Sequence, residues 1–231
     1  MQIVNLAEIE QAVKARLSDR RFAHSLGVAN SASQMAAVYG TNQTDAQLAG
    51  VLHDWDRDLS AQQLIDKAAK YQASLPEQLG VINAQFSYDP IVLHAHTAAR
   101  SLAEEYPGIG HEVIQAIDRH TSAAANMTDL DMIIYVADLI EPTRNYGQVE
   151  LTSMQAKLRA MVGSEKLEIL FMMHLQMTLN HLLESKTKIV PLSIEAMDDM
   201  LMRVNDPKHP VWQLAKQTWD ACIQASNMED Q

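Results

Sequence analysis

Short apolar runs alternate with polar capping residues along this chain, a pattern typical of a protein built from helices. Gly40, Pro142 and Gly163 each follow such a run and are predicted to end a helix. Helix starts are predicted at Asp19, Thr44 or Asp45, Ser60, Asp89 and Thr128, the last with Asp131 in a capping box. The predicted helices span 19–39, 46–54, 61–71, 90–106, 111–120, 132–140, 149–162, 165–185, 193–204 and 211–225.

Hardly any segment has the length or alternation of a strand, so the expected fold is all-α. We expect one helical domain over residues 1–204, followed by a linker and an accessory helix over 205–231, because proline-flanked residues 205–210 interrupt the pattern. An apolar stripe at helical spacing follows in that segment: Trp212, Ala215, Trp219 and Cys222. The stripe fits a terminal helix packed on its own domain, with a homodimer contact as the alternative.

Charge and cysteine content narrow the possible partners and the compartment. The 231 residues include 18 Lys and Arg against 29 Asp and Glu, a formal net charge of −11. An acidic surface argues against nucleic acid or an anionic membrane as partner, but allows a polyanionic small substrate beside metal ions or clustered arginines. Cys222 is the only cysteine, which excludes an intrachain disulfide and favours the cytoplasm. We see no signal peptide and no run near the ~18 apolar residues that span a bilayer.

Two acidic residues are candidates for metal binding. His53 and Asp54 are adjacent at the end of an apolar helix and together offer an imidazole and a carboxylate to a divalent metal. Asp138 lies within the run Met132–Ile140, which is apolar nearly all round and is expected to be buried. A buried carboxylate needs a cation, a hydrogen-bond network or a proton. We interpret Asp138 as a metal ligand, with a buried ion pair to an arginine as the alternative.

Among the nine histidines, helical geometry singles out three more candidates. His24 shares a helix face with Arg21, and His120 ends a helix on its apolar side. His94 lies at the edge of the apolar face of its helix and His96 lies roughly opposite, so we expect His94 to be the functional one. The others are expected to be exposed, structural or in the linker: His111, His174, His181 and His209.

In chain order the candidates read His, His-Asp, His, His, Asp, which resembles the HD-domain metal-dependent phosphohydrolases, a helical superfamily. Closer similarity points to the bacterial branch that splits diadenosine tetraphosphate symmetrically into two ADP. The segments that carry it, over about residues 10–200, are RFAHSLGVA, AGVLHDWDR, IVLHAHTAA, AIDRHTS, MTDLDMIIYVADLIEPTR and IVPLSIEAM. The chain departs from the branch where a Thr-Thr-Gly turn becomes Thr121-Ser-Ala-Ala, and where a lysine after the HD pair becomes Arg57.

The resemblance implies a set of roles. It assigns the main metal, with iron as the implied choice and manganese or zinc as alternatives, to His24, His53, Asp54 and Asp138. His94 and His120 would then bind phosphate, or hold a second metal with Asp54 bridging. We expect Arg21, Arg57, Arg144 and Thr121 to contact the phosphates, and His94, His120 and Asp54 to take part in catalysis. The alternatives are another HD-type nucleotidase or phosphodiesterase, or a nucleotide-sensing module without turnover.

Overall fold

A computed structural model describes residues 5–76, 90–144, 149–204 and 213, and these residues form helices without any strand. The all-α prediction is therefore confirmed. The helices are α1 (Leu6–Arg16), α2 (Asp19–Tyr39), α3 (Gln43–Leu52), α4 (Ala61–Tyr71), α5 (Leu93–Glu105), α6 (His111–Arg119), α7 (Asp129–Ile140), α8 (Val149–Met161), α9 (Leu167–Glu184) and α10 (Pro191–Val204).

Several predicted helix boundaries are confirmed. Their signals are local, since they come from residues close together in the sequence. The side chain of Ser60 accepts from the backbone N–H of Gln63, whose side chain bonds back in a capping box. Thr128 and Asp131 form the same arrangement at the start of α7. Gly40 follows α2 with φ of 75° and Gly163 lies at φ of 83°, the left-handed conformation that favours glycine.

Three predictions of helix starts were wrong. Ser18 occupies the N-cap position of α2, so Asp19 lies in the first turn, where its charge favours the helix dipole. Asn42, rather than Thr44 or Asp45, caps α3, because its side-chain oxygen accepts from both of their backbone N–H groups. The segment after Asp89 begins as a 3₁₀ turn over Pro90–Val92, and the α-helix starts only at Leu93.

The pattern also did not reveal α1. This helix begins after Asn5, whose side chain accepts from the N–H of Ala7, and it buries only Ile9 and Val13. With so few apolar residues its periodicity is weak. Its last turn nevertheless carries Arg16, which contacts the segment after His53 and Asp54.

The core places α7 at the centre of the bundle, where it packs against α2, α3, α6 and α9. One continuous cluster of buried residues runs from Ile9 to Leu201. Every helix except α4 contributes to it, and α5 contributes only residues after its first turn. A smaller cluster joins α4 to Leu93, Val190 and Leu192. Within α7 every residue from Leu130 to Ile140 is buried except Asp138, whose side chain is 21% exposed, so Asp138 is less enclosed than the sequence predicts.

The predicted helix over 211–225, its stripe, the linker and His209 lie outside the described residues, apart from Gln213. The division into residues 1–204 and 205–231 therefore stays a prediction. Asp89 also lies outside the described residues. Among the helices that are described, none combines the length and the apolar character needed to cross a membrane.

Candidate metal centre

Three histidines of the site lie at helix ends, and each is fixed by its own backbone. His53 follows α3 directly, His120 follows α6 directly, and His94 lies in the first turn of α5. Each Nδ1 meets a carbonyl oxygen three residues earlier, which belongs to Gly50, Ile91 or Ile117 respectively. A carbonyl only accepts, so each Nδ1 carries the proton and donates. In the neutral rings every Nε2 therefore presents a lone pair.

His24 reaches the same place from the second turn of α2. Its Nδ1 lies 2.9 Å from Glu141 Oε1, and its Nε2 lies 2.8 Å from Asp138 Oδ1. Glu141 is fully buried and also accepts from the backbone N–H and the hydroxyl of Thr143. Because this carboxylate accepts from the Nδ1 N–H, the Nε2 lone pair of a neutral His24 faces a second carboxylate, that of Asp138.

Close helix packing brings His24 and His53 together. Gly50 of α3 lies so near α2 that a Cβ at this position would come within 2.6 Å of Ala29 Cα. This contact between helices allows the rings of His24 and His53 to approach to 5.3 Å, edge to face. His120 then stacks edge to face on both His53 and His94, at 4.9 and 5.0 Å between ring centroids.

Two carboxylates complete the cluster. Asp54 Oδ1 lies 3.3 Å from His94 Nε2, 3.6 Å from His53 Nε2 and 4.0 Å from His120 Nε2. Asp138 Oδ1 lies 3.6 Å from His53 Nε2 in addition to its contact with His24. The structure thus brings together the six histidines and aspartates predicted from sequence. The ligand atoms of five of them form two overlapping sets that share His53: His24, His53 and Asp138, and His53, Asp54 and His120.

The donor chemistry of this cluster fits a divalent cation. The Nε2 atoms of His94 and His120 lie 3.1 Å apart although both are lone-pair acceptors. The buried His53 Nε2 has no hydrogen-bond partner in the described part of the chain, and the Nε2 lone pair of a neutral His24 faces the Asp138 carboxylate at 2.8 Å. Acceptors that face one another need a cation or a proton between them. Imidazole nitrogens and carboxylate oxygens together suit iron, zinc or manganese.

The pKa values of His24 and Asp138 also indicate that positive charge stabilises this cluster. Burial opposes protonation of His24, but its contacts with Asp138 and Glu141 outweigh burial and raise its pKa to about 9. Burial likewise opposes ionisation of Asp138, yet Arg144 and the two histidines hold the pKa of this carboxyl well below its usual range. His120 behaves oppositely, because burial and the neighbouring His53 and His94 lower its pKa to about 3. His120 therefore stays neutral, as a ligand must.

The predicted phosphate-binding arginines surround the two carboxylates. Arg21 Nη1 lies 3.2 Å from Asp54 Oδ2. Arg144 Nη1 donates to two acceptors of Asp138, its carboxylate oxygen Oδ1 and its backbone carbonyl oxygen. The ion pair considered as the alternative for Asp138 therefore exists, alongside the contacts with histidines. Arg57 is half-buried, and burial together with the charge of Arg21 lowers its pKa. Thr121 Oγ1 lies 3.0 Å from His120 Nε2 and 3.3 Å from His94 Nε2.

The turn that carries His53 and Asp54 is clamped from two sides. Arg16 donates from Nε to the carbonyl of Trp55 and from Nη2 to Asp56 Oδ1, both at 2.7 Å, and its guanidinium lies over the Trp55 ring. Lys67 of α4 donates to the same fully buried Asp56. A buried, doubly paired carboxylate fixes the backbone around it. This clamp was not predicted from the sequence.

The remaining histidines lie elsewhere. His96 is buried, and its Nδ1 lies 2.9 Å from Asp118 Oδ1, away from the cluster. His174 is buried against the Tyr135 ring at 4.4 Å, whereas His111 and His181 are exposed. Glu141 was the main residue that the sequence did not reveal. Its only signal was its position in the ADLIEPTR segment, one turn after Asp138.

Comparison with known proteins shows what the chain resembles. The family model for the HD domain matches residues 21–143, a range that includes all six residues of the cluster. A protein of Halalkalibacterium halodurans named "Bis(5'-nucleosyl)-tetraphosphatase, symmetrical" is 33% identical over 154 residues, covering 67% of this chain and 78% of the relative. A protein of the same name from Staphylococcus aureus is also 33% identical, over 64% of this chain and 72% of the relative.

A solved structure is similar over most of the chain. The crystal structure of a predicted HD superfamily hydrolase involved in NAD metabolism, from Clostridium acetobutylicum, superposes with a TM-score of 0.74 at 26% identity. The match covers 87% of this chain and 100% of that chain.

Proposed function

This chain belongs to the HD domain family, and we propose that it hydrolyses diadenosine tetraphosphate symmetrically, to two ADP, with a divalent metal. The observation that carries the proposal is the cluster of histidine Nε2 atoms and two ionised carboxylates, which form two ligand sets that share His53. The identity of the substrate is inferred from relatives at 33% identity, whose names describe this activity. The single cysteine is consistent with action in the cytoplasm.

The metal would be held by His24, His53, Asp54 and Asp138, the set that the family resemblance implies; Asp54 and Asp138 each lie 3.6 Å from His53 Nε2. We favour iron, with manganese or zinc as alternatives, because mixed imidazole and carboxylate ligands suit all three. When bound, such an ion lowers the pKa of water toward neutrality and polarises phosphoryl oxygens. His94 and His120 would contact a phosphate or complete a second site, with Asp54 between the two sites.

The phosphates would be held by cations that already border the cluster. Arg21 and Arg144 contact the ligand carboxylates, and Arg57 lies half-buried beside them, so a bound phosphate would meet a guanidinium on more than one side. This local positive charge explains how a chain of net charge −11 can bind a polyanion. Thr121 adds a hydroxyl beside His94 and His120.

A symmetrical cut requires attack on one of the two inner phosphorus atoms. That atom must lie beside Asp54 and Asp138 while the ADP to which it belongs is gripped by the arginines and Thr121. The other ADP is then the leaving group. Asp138 is 21% exposed at its side chain and so marks the side from which the phosphate chain enters.

The test is analysis of the products by chromatography, after loading the protein with iron, manganese or zinc in turn. We expect ADP alone from diadenosine tetraphosphate. AMP and ATP in equal amounts would refute the symmetrical cut. Absence of turnover with all three metals would refute hydrolysis and favour a sensing module, and preference for a mononucleotide or cyclic nucleotide would indicate another HD-type activity.

A further inference from the structure

Asp56 is a fully buried carboxylate that shares a turn with Asp54 but belongs to neither ligand set of the cluster. Arg16 Nη2 of α1 lies 2.7 Å from its Oδ1. Lys67 Nζ of α4 lies 2.8 Å from Oδ1 and 2.7 Å from Oδ2. Apolar residues often replace such a buried group of charges without loss of stability, so stability alone does not explain its presence. Two cations on one carboxylate do fix its position, because α1 and α4 then both hold this point of the turn.

The segment that joins α1 to α2 binds the same turn at two further residues. Arg16 also donates from Nε to the carbonyl of Trp55 at 2.7 Å. The backbone N–H of Ser18 donates to Asp58 Oδ2 at 2.7 Å. A guanidinium carries its donors in one rigid plane, so the contact of Arg16 with two neighbouring residues restrains orientation as well as distance. The turn is therefore held at Trp55, Asp56 and Asp58.

Arg57 is the residue of the turn whose direction depends on this restraint. The metal ligands beside it have supports of their own. His53 Nδ1 donates to the carbonyl of Gly50, and Asp54 Oδ2 lies 3.2 Å from Arg21 Nη1. The half-buried Arg57 side chain has no hydrogen bond or ion pair with the described residues. Its backbone N–H donates to the carbonyl of Asp54 at 2.8 Å, so the backbone of the turn sets where the guanidinium points.

We propose that Asp56, held by Arg16 and Lys67, is a positioning residue that aims the Arg57 guanidinium at the phosphate chain of the substrate. The proposal rests on the proposed function for the identity of that substrate. Bidentate binding of a phosphate by arginine needs matched planes and distances, and a misplacement of about 1 Å can cost about 10²-fold in rate. Asp56 touches neither metal nor substrate, so its loss should weaken phosphate binding and leave the metal ligands in place.

Arg16→Met tests the clamp outside the core, since the Arg16 side chain is 31% exposed. Methionine keeps an apolar stem over the Trp55 ring and removes both donors. We expect kcat/KM for diadenosine tetraphosphate to fall by about 10-fold, part of the cost of a misplaced binding group. Metal affinity, measured by competition with a chelator, should stay at the wild-type value. Lys14→Met is the matched control, because it makes the same charge change at an exposed position of α1 and should alter neither quantity.

Two more variants separate charge from geometry. Arg16→Lys keeps the charge but not the planar fork, so it should restore only part of kcat/KM. Asp56→Asn keeps the shape of the side chain and removes its charge, and it should lower kcat/KM at least as far as Arg16→Met. Urea unfolding shows whether this buried variant folds, and the partly exposed Arg16 decides the question if it does not.

A double-mutant cycle asks whether the clamp acts through Arg57. Arg57→Met alone removes the proposed phosphate contact, which leaves the clamp nothing to aim. Adding Arg16→Met should then change kcat/KM by less than about 2-fold, the usual error of additivity. A loss of about 10-fold from Arg16→Met in both backgrounds would overturn the proposal, because Arg16 would then act through stability or through the metal ligands.

Binding of pyrophosphate to the manganese-loaded protein, measured by calorimetry, separates this proposal from the proposed function. Affinity that falls in Arg16→Met and not in Lys14→Met supports the positioning role even when diadenosine tetraphosphate is not hydrolysed. Unchanged pyrophosphate affinity and unchanged kcat/KM in Arg16→Met would overturn the proposal while leaving symmetrical hydrolysis intact. Metal affinity that falls as far as pyrophosphate affinity would overturn it as well, since the clamp would then hold the metal ligands rather than Arg57.

Discussion

Replacing Gly27 by alanine should weaken metal binding without touching any ligand. A Cβ at Gly27 would come within 2.4 Å of Glu141 Oε2 and 3.1 Å of its Cδ. Glu141 is fully buried and held by His24 and Thr143, so it can move only by giving up those bonds. The absence of a side chain at Gly27 is therefore what allows the carboxylate to orient His24.

The magnitude follows from two opposing effects. Alanine in the middle of α2 favours the helix by about 1 kcal/mol over glycine. Displacing Glu141 loses a hydrogen bond to a charged group, about 1.5–3 kcal/mol. We expect Gly27→Ala to lower the free energy of unfolding of the metal-free protein by about 1 kcal/mol. Loss of the partner that orients a histidine ligand should also weaken metal affinity by about 10–100-fold.

The assay is competition with a chelator for metal affinity, and urea unfolding in the presence of that chelator for stability. Gly110→Ser is the matched control, because a Cβ there meets nothing within 4 Å and serine suits the N-cap of α6. In a Glu141→Ala background the collision no longer exists, so adding Gly27→Ala should stabilise the protein and leave metal affinity unchanged. An equal loss of metal affinity from Gly27→Ala in both backgrounds would refute the reasoning.

Three further outcomes are expected. Asp138→Ala and His53→Ala should each remove bound metal and activity together, and metal content by emission spectroscopy that stays at the wild-type level in both would exclude the proposed ligands. His94→Ala should lower kcat by at least about 10²-fold, because this substitution removes a group beside the phosphate; His181→Ala is the control. Burial lowers the pKa of His174 from 6.5 to about 4, so stability should fall as pH drops through that range. His174→Phe should remove about 2 kcal/mol of the loss between pH 7 and 5 in urea unfolding; an unchanged pH dependence would contradict this.

Local signals predicted much of the fold because helix ends are encoded by neighbours in sequence. The capping boxes at Ser60 and Thr128 each involve residues three apart, so their pattern is visible without tertiary structure. The start of α3 was misplaced because Asn42, Thr44 and Asp45 all favour a cap, and only the observed geometry separates them.

The site residues were predictable to the extent that their chemistry is unusual for their surroundings. Asp138 stands out in an apolar helix, and His53 next to Asp54 offers two ligand types. Glu141 was not predictable in the same way, because its role comes from contact with His24, 117 positions away in the chain.

The hydrogen bonds from His53, His94 and His120 to carbonyls three residues earlier bear on how freely the metal can be exchanged. Each ring is aimed by its own helix end, so its direction is set before any ion arrives. Ions of similar size then meet the same preformed arrangement, and binding one in place of another requires little reorganisation of the protein. Intrinsic affinities of such ligands rise from manganese through iron to later metals. The ion that occupies the site in a cell would therefore be decided by which metals the cell keeps available.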